Sequence, residues 1–401
     1  MKMLCGLRCG LAAFASALLF CAGAQATPLS DYRQILAQLE RRPADAKAAV
    51  EQFASRFAAV GSKEQQTMAN DLLLRYGLGA EDFDVALKAA QALLALEPNA
   101  AQRSALEKIA AQLSLRTKRY AQTVSYVERW QSHRPPEDAE SDKARQEMAQ
   151  MQSLAAYALW ETADPKGSVA WMRQAYRSEP TKQRGNFLLG AWQRLGDKAA
   201  EEAFLPEMIR RYGDAVYWSR YGYLLYERGQ ERRALDVFSS AESSGRLSAE
   251  LVPTLAALLL KNGAATKAAE VVIRHREQLD PVLAQGLLVA SLVDSGDRKG
   301  ALSAALADLP KGADSKPHVR QAAAQLAFCE ENWPLAVRLA EEMADKEKRV
   351  ERAEHWLFMA GVAAFSMGDY ARAENCWGRI AGPKLRPVVE QWSKQAAFLQ
   401  K

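Results

Sequence analysis

Histidine is scarce in this sequence, and the motifs of common catalytic sites are missing from it. The chain has 4 histidines among 401 residues, and none stands in the H-E-x-x-H or paired Cys/His spacing of a zinc site. The nucleophile motif G-x-S-x-G and the phosphate-binding motifs G-x-x-x-x-G-K-S/T and G-x-G-x-x-G are also absent. Adjacent acids such as Glu201 and Glu202 point about 100° apart on a helix, so they do not converge on one site. The sequence therefore predicts a chain that is not an enzyme and needs no cofactor or metal.

A large excess of charge of one sign is missing too. The chain carries 53 basic and 48 acidic residues, for a formal net charge of +5. Loss of an N-terminal segment containing Lys2 and Arg8 would lower that charge to +3. The densest basic cluster, Arg116 to Arg119, is interrupted by Thr117 and is typical of a solvated helix face. A nucleic-acid partner is therefore not expected.

No hydrophobic run is long enough for a membrane helix, which needs about 20 apolar residues. The uncharged core of the N-terminal segment, Leu11 to Ala22, has 12 residues. It follows Lys2 and Arg8 and precedes the A-x-A pattern that ends at Ala26, as in a secretory signal peptide. We expect residues 1–26 to be cleaved after Ala26 and the mature chain to be periplasmic or secreted. An uncleaved anchor is the alternative, so membrane contact would come only from that segment or from a partner.

Cysteine is nearly absent from the expected mature chain, because three of the five cysteines lie within residues 1–26. Cys329 and Cys376 remain, at helix positions of neighbouring repeats. They could pair in an oxidising compartment. Free buried thiols are the favoured interpretation, since helix positions in successive repeats need not face each other.

What the sequence does contain is a repeated pattern of apolar and small residues. Two segments show it with identical steps of 3, 1, 3, 4, 5, 4 and 3 residues. The first four positions lie on one helix face, the glycine after them ends that helix, and the last three form a stripe on a second helix. The two segments are Trp218, Tyr221, Gly222, Leu225, Gly229, Ala234, Phe238, Ala241 and Leu357, Ala360, Gly361, Ala364, Gly368, Ala373, Trp377, Ile380.

This pattern resembles the tetratricopeptide repeat family, whose unit of about 34 residues is a pair of helices. Nine copies of the small second-helix position recur at spacings of 32 to 45 residues. The resemblance implies an all-α fold, a right-handed α-solenoid of about nine antiparallel helix pairs over residues 27–382. An insertion at about 134–147 and a capping helix in 383–401 complete the predicted organisation. The nine small positions are Ala86, Thr123, Ser168, Ala200, Ala234, Ala268, Ala301, Ala336 and Ala373.

The resemblance also implies where a ligand would bind, because ligand contacts in this family come from the concave face of the first helices. In three consecutive repeats, those positions hold aromatic rings beside acids and an amide, an arrangement suited to a peptide or a sugar chain. The alternative is that the rings fill space between neighbouring first helices. The candidate groove residues are Tyr157, Trp160, Glu161, Trp192, Gln193, Tyr223, Tyr226 and Glu227.

The predicted function is that of a protein–protein interaction scaffold in the bacterial cell envelope. Its partner would be a protein or an extended peptide held in the concave groove. The alternative is a polysaccharide-binding or exopolysaccharide-export accessory that stacks sugars on the same rings.

Overall fold

A computed structural model describes residues 27–133, 141–308 and 314–400 of this chain. Within those ranges the regular structure is helical, with no strand. The predicted signal peptide, the first part of the predicted insertion (134–140) and residues 309–313 lie outside the described residues. Residues 142–147 of that insertion form the N-terminal end of a helix, and Ser141 is its N-cap. Among the described helices, none is long and apolar enough to cross a membrane.

The chain divides into two compact units, Met1–Phe204 and Leu205–Lys401, with the division inside one helix. Successive helices of unit 1 pack against each other in order along the chain. A 3-10 turn, Pro43–Ala46, leads into the second helix. The helices are α1 (Pro28–Arg41), α2 (Lys47–Phe57), α3 (Lys63–Gly79), α4 (Phe83–Ala95), α5 (Ala100–Arg116), α6 (Tyr120–His133), α7 (Asp142–Glu161), α8 (Pro165–Ser178), α9 (Lys182–Leu195) and α10 (Lys198–Tyr212), which the division crosses.

Unit 2 continues the same succession of helices. Two short 3-10 turns, Ala249–Leu251 and Arg276–Gln278, precede its second and third helix pairs. The helices are α11 (Ala215–Glu227), α12 (Glu231–Ser243), α13 (Val252–Lys261), α14 (Ala265–Arg274), α15 (Pro281–Asp294), α16 (Arg298–Leu306), α17 (Pro317–Cys329), α18 (Trp333–Lys346), α19 (Val350–Ser366), α20 (Tyr370–Gly378) and α21 (Arg386–Leu399). The predicted all-α array of helix pairs is confirmed.

Small residues mark the place where the two helices of a pair come together. In eight of the nine pairs, the predicted small residue of the second helix has no exposed surface. Its backbone N–H bonds to the carbonyl four residues earlier, as Ala86 does to Asp82 at 3.1 Å. A larger side chain at that point would hold the two helices apart. This explains why a small residue recurs there while other positions of the repeat vary.

The pair α9–α10 differs, because the position marked by Ala200 is displaced by one residue. Ala200 is half-buried, whereas Glu201 is 6% exposed, and the Glu201 N–H bonds to the Asp197 carbonyl at 3.2 Å. Glu201 therefore occupies the position that is small in the other eight pairs. The prediction of Ala200 for this position is wrong by one residue, and the neighbouring residues of α9 shift with it.

Two glycines of the first helices are required by close packing. A side chain on Gly222 would bring its Cβ to 2.1 Å from Cε1 of Phe238. At Gly361 the Cβ would lie 2.1 Å from Nε1 of Trp377. These are the two pairs that match the family pattern at each diagnostic position, and in both a bulky second-helix ring lies directly on the first-helix backbone.

Polar side chains are buried at an equivalent first-helix position in four pairs, sixteen residues before the small position. Three of them reach the C-terminal end of their own second helix or the turn beyond it. His133 Nδ1 lies 3.0 Å from Glu107 Oε1, and the Ser178 hydroxyl donates to Gln152 at 3.2 Å. Gln285 donates to three carbonyls at the end of α16. These bonds join the first helix of a pair to the C-terminal end of its second helix. They do so without the packing of a large apolar ring.

The last helix, α21, lies against α20 through one apolar stripe. Val389 and Ala396 are buried, and the Trp392 ring lies 5.1 Å from the ring of Phe365. The turn before α21 is held by Glu354, whose Oε1 accepts the backbone N–H groups of residues 381 and 382 at 3.0 and 2.7 Å. The opposite side of α21 is exposed and includes Phe398, which is 76% exposed.

The two cysteines of the described chain are free, and they differ in environment. Cys329 is exposed, against the expectation that both thiols are buried, whereas Cys376 is buried. Burial and the neighbouring Glu341 carboxylate raise the pKa of the Cys376 thiol to about 12, so it stays protonated at neutral pH.

Candidate functional site

In unit 1, two of the predicted groove residues meet a third ring that the sequence analysis missed. Tyr157 and Trp160 lie one turn apart on α7, and both contact Phe187 of α9 edge-on, with centroid distances of 5.3 and 5.5 Å. The Arg194 guanidinium lies 5.3 Å from the centre of the Trp160 ring. Tyr157, Trp160, Phe187 and Arg194 together are called the α7–α9 cluster.

Buried polar contacts fix α9 against α7 beneath this cluster. Arg184 is 8% exposed, and its Nε donates to the Ser153 hydroxyl at 3.0 Å. Its Nη1 donates to both the carbonyl and the carboxylate of Glu179, at 2.9 and 2.7 Å. The bond to Ser153 joins α9 to α7, whereas the bonds to Glu179 join α9 to the turn that precedes it.

Tyr157 stays uncharged in this setting. Its burial raises the pKa of the phenol above the ordinary value, although the nearby Arg184 charge and a hydrogen bond with Gln183 pull the pKa in the opposite direction. The hydroxyl therefore remains protonated well beyond neutral pH. The cluster presents a neutral phenol beside two apolar rings.

The surface beside the α7–α9 cluster is open. A side chain added at Gly190 would meet no described atom within 4 Å, its own helix backbone aside. Gly190 follows Phe187 by three residues and precedes Arg194 by four, so all three share one face of α9. This open space therefore lies on the face of α9 that carries Phe187 and Arg194.

Trp192 does not belong to this surface. It is 5% exposed and packs against Phe204 with ring centroids 5.2 Å apart. With the one-residue displacement of the pair α9–α10, Trp192 takes the inward position that Leu225 has in unit 2, nine residues before the buried small position. The residue equivalent to Trp160 is Gln193, which is exposed. The assignment of Trp192 to the groove is therefore corrected to a core position.

A sequence signal for this register does exist. Aspartate caps the second helix in several pairs, four residues before the buried position: Asp82, Asp164, Asp297 and Asp369 each accept a backbone N–H three residues on. In α10 the same bond runs from Ala200 N–H to Asp197 Oδ1 at 3.0 Å. Counting from the capping aspartate selects Glu201, whereas counting from alanines selects Ala200.

In unit 2, the predicted tyrosines are exposed. Tyr223 and Tyr226 of α11 are 44% and 43% exposed, and the Tyr223 ring meets Phe238 edge-on at 6.1 Å. Tyr226 forms one wall of a cavity of about 320 Å³ that is open to solvent. The other walls come from the first turn of α12 and from α13: Glu231, Pro253, Thr254, Ala257, Leu258 and Lys261.

The two charged groups at this cavity neutralise each other. Lys261 Nζ lies 2.6 Å from Glu231 Oε2. The hydrogen bond to Glu231 and the charge of that carboxylate raise the pKa of Lys261 above its ordinary value, so the ammonium keeps its proton. The predicted polar rim of the groove, Glu161, Gln193 and Glu227, is exposed at the ends of α7, α9 and α11.

Within the described ranges, no group of three or more His, Cys, Asp or Glu side chains could hold a metal ion. The surface thus offers aromatic faces, amides and paired charges. Such groups suit non-covalent recognition of another molecule.

Comparison with known proteins agrees with this fold and gives no closer relationship. No family model and no curated protein matches the chain. Among solved structures, a tetratricopeptide repeat protein from Parabacteroides merdae is 12% identical, covering 62% of this chain and 98% of its own at a TM-score of 0.30.

Two further solved structures are similar over most of the chain. Naa15/Naa10 bound to HypK-THB is 14% identical, covering 93% of this chain and 66% of that one at a TM-score of 0.41. Yeast Tom70 is 12% identical, with 92% of each chain covered and a TM-score of 0.30. These are similarities only, and no partner is carried over from these proteins to this chain.

Proposed function

We propose that this chain is a non-catalytic scaffold of the bacterial cell envelope that binds a partner protein, through an extended segment, on its first-helix faces. The observation that carries the proposal is the exposure of aromatic rings there. In the part of the chain that the structure describes, three aromatic side chains are more than a third exposed: Tyr223, Tyr226 and, at the end of α21, Phe398. Exposed rings at neighbouring positions are typical of protein-binding surfaces, because each buries a large area at small entropic cost.

The α7–α9 cluster supports the same proposal in unit 1. Its rings contact one another, and Arg194 lies against Trp160, so little side-chain entropy would be lost when a segment packs on them. Within each unit, successive first helices lie beside one another, which suits a chain-like ligand.

The envelope location rests on the N-terminal pattern of Lys2, Arg8, the uncharged stretch 11–22 and the A-x-A site at Ala26. Mass spectrometry of the protein from the cell envelope is expected to find Thr27 as the first residue. A chain recovered intact from the cytoplasm would contradict this part of the proposal.

Photo-crosslinking in living cells tests the surface itself. A photoreactive amino acid at Gln193 or Tyr226 should capture one and the same partner, which mass spectrometry identifies. Ala371, exposed on α20, is the matched control and should capture nothing. If neither first-helix position captures a partner that the control position misses, the proposal is wrong.

The polysaccharide alternative is less well supported, because a sugar ring stacks on the open face of an aromatic ring. Arg194 already covers Trp160 at 5.3 Å. Oligosaccharide titration followed by tryptophan fluorescence separates the alternatives. A saturable response that Trp160→Ala removes would favour sugar binding.

A further inference from the structure

Arg194, at the C-terminal end of α9, is an exposed cation whose N–H groups are not in use. Its guanidinium lies 5.3 Å from the centre of the Trp160 ring. Within the described ranges it has no hydrogen bond and no ion pair. Arg184 of the same helix differs, because the Glu179 carboxylate accepts from it at 2.7 Å. The N–H groups of Arg194 are therefore available to an acceptor on another molecule.

The contact with Trp160 restricts the Arg194 side chain before anything binds. A guanidinium that is attracted to a ring face samples fewer positions than one in water. Binding a carboxylate then costs less side-chain entropy, because the planar group is already held. Arg173 of α8 is also exposed, but among the described residues it has no ring, ion pair or hydrogen bond to hold it. Arg194 is thus the better prepared of the two to bind an anion.

The surface around Arg194 offers little competition for its charge. The charged residues of α9 are Lys182, Arg184 and Arg194, and all are basic. The neighbouring stretch of α7, residues 148–160, has no charge at all. Glu161 follows it, exposed and not paired with Arg194. An entering carboxylate would therefore gain a cation without displacing an existing ion pair.

The missing side chain of Gly190 leaves room for a chain to approach Arg194. Gly190 lies one turn before Arg194 on the same face of α9, and a Cβ added there would meet no described atom within 4 Å, its own helix backbone aside. Phe187 lies seven residues before Arg194, which is about 10 Å along the helix axis. An extended segment advances about 3.3 Å per residue, so its contacts with Phe187 and Arg194 would be about three positions apart.

The groups on this face favour a carboxylate over a phosphate. The planar fork of a guanidinium matches the two oxygens of a carboxylate. A phosphate carries nearly two negative charges and is typically bound by a cluster of arginines. The stretch of α9 from Phe187 to Arg194 has one cation, which balances a single carboxylate. The neighbouring aromatic rings suit an apolar side chain of the same segment.

We infer that Arg194 binds the side-chain carboxylate of an aspartate or glutamate in the partner segment, about three residues from an apolar residue that packs on Phe187. The inference rests on the proposed function, because it specifies the chemistry of the segment that unit 1 binds. It assigns to Arg194 the selection of an acidic segment over a neutral or basic one.

Charge reversal in living cells is the first test, with the photoreactive amino acid at Gln193, the neighbour of Arg194. Arg194→Glu should lower capture of the partner about tenfold, because it places two carboxylates together. Arg194→Lys keeps the charge and should retain most of the capture. Arg173→Glu makes the same charge change at the exposed position on α8 and is the matched control, with capture unchanged. Equal capture by Arg194→Glu and the unaltered chain would overturn the inference.

The crosslinked segment itself provides the second test. Tandem mass spectrometry of the crosslinked peptide reads its sequence, which should contain an aspartate or glutamate within about three residues of the crosslinked position. A segment without an acid there would overturn the inference.

A fluorescein-labelled peptide with the captured sequence, and a copy with lysine in place of the acid, then allow the charges to be exchanged. By fluorescence anisotropy, the unaltered full chain should bind the acidic peptide about tenfold more tightly than the lysine copy. Arg194→Glu should prefer the lysine copy, a reversal that a loss of stability cannot produce. The same preference in both chains would overturn the inference.

The proposed function and this inference fail in different ways. If a partner is captured from Gln193 with equal efficiency whatever the charge at Arg194, the scaffold function stands and the inference is wrong. If neither Gln193 nor Tyr226 captures a partner, the scaffold function is refuted, and the inference falls with it.

Discussion

The first helices of the two units differ in where their charged residues lie. In unit 1, the charged residues of α7 and α9 lie near both ends of each helix, and Arg184 is paired with Glu179 at 2.7 Å. In unit 2, α13 and α15 carry charge only at their last residues, and Tyr223 and Tyr226 on α11 remain exposed. One repeat fold therefore presents a fixed, polar-edged ring cluster in one unit and an open apolar surface in the other.

This difference shows that the position of an aromatic ring in the repeat does not determine whether the ring is packed or exposed. Trp160 and Tyr226 occupy equivalent positions, eight residues before the buried small position. The first is half-buried under Arg194 and against Phe187, whereas the second is 43% exposed at a cavity. Truncating Trp160 should therefore mainly lower stability, whereas truncating Tyr226 should mainly lower binding.

The largest effect on stability is expected for Trp192, which lies in the core. Trp192→Ala removes a ring that is 5% exposed and packed on Phe204, so it should cost about 3–5 kcal/mol of unfolding free energy. Urea denaturation followed by circular dichroism measures the loss. Gln193→Ala, at the adjacent exposed position, is the control and should change stability by less than about 0.5 kcal/mol. If Trp192→Ala lost less unfolding free energy than Gln193→Ala, Trp192 would have to be assigned to the surface.

An intermediate effect is expected for Trp160. Trp160→Ala removes the edge contact with Phe187 and the contact with Arg194, and should cost about 2 kcal/mol. Arg194→Gln removes the cation alone and should cost about 0.5–1 kcal/mol. If Trp160→Ala were neutral for stability, the α7–α9 cluster would be a loose surface like that of unit 2, and the contrast between the units would disappear.

Tyr226 should show the reverse balance. Because its ring is 43% exposed, Tyr226→Ala should change unfolding free energy by less than about 0.5 kcal/mol. Partner capture should nevertheless fall about tenfold or more, as expected at a binding hot spot. Phe398→Ala, another exposed ring, is the matched control and should leave capture unchanged. Equal capture by both variants would remove Tyr226 from the binding surface.

The smallest effect concerns the ionisation of Tyr157. Because the folded-state pKa of this phenol lies above its unfolded value, its stabilising contribution is complete below about pH 10. That contribution is lost as the pH rises through the folded-state pKa. Subtracting the ultraviolet titration of Tyr157→Phe from that of the unaltered chain isolates this group. A midpoint at or below the ordinary tyrosine value would contradict the burial of the ring in the α7–α9 cluster.

Much of the fold was predictable because it depends on local pattern. The recurrence of a small residue about every 34 positions follows from the close approach of two helices, and each pair repeats that requirement. The terminal helix was predictable for the same reason, since Val389 and Trp392 supply an apolar stripe after the last pair. The one-residue displacement of the buried position in α10 was not predicted, because Ala199, Ala200 and Glu201 are adjacent in the sequence. A glutamate is also an unexpected residue at a buried position.

The site was only partly predictable. Sequence position identified Tyr157, Trp160, Tyr223 and Tyr226 as first-helix residues, but their burial depends on which side chains arrive from other helices. Phe187 joins the α7–α9 cluster from α9, whose Arg184 bonds to Ser153 of α7. Its contribution could not be deduced from the repeat pattern.

The sequence by itself determined the helix pairs, because periodic apolar residues, aspartate caps and turn glycines are local signals that each segment carries within itself. The tertiary structure decided which face of each pair is closed and which is open. Trp192 is inside because Phe204 covers it, and Tyr226 is outside because α13 offers it a small alanine and a proline instead of a bulky side chain. That outcome depends on side-chain contacts between neighbouring helices, which the pattern within one helix does not contain.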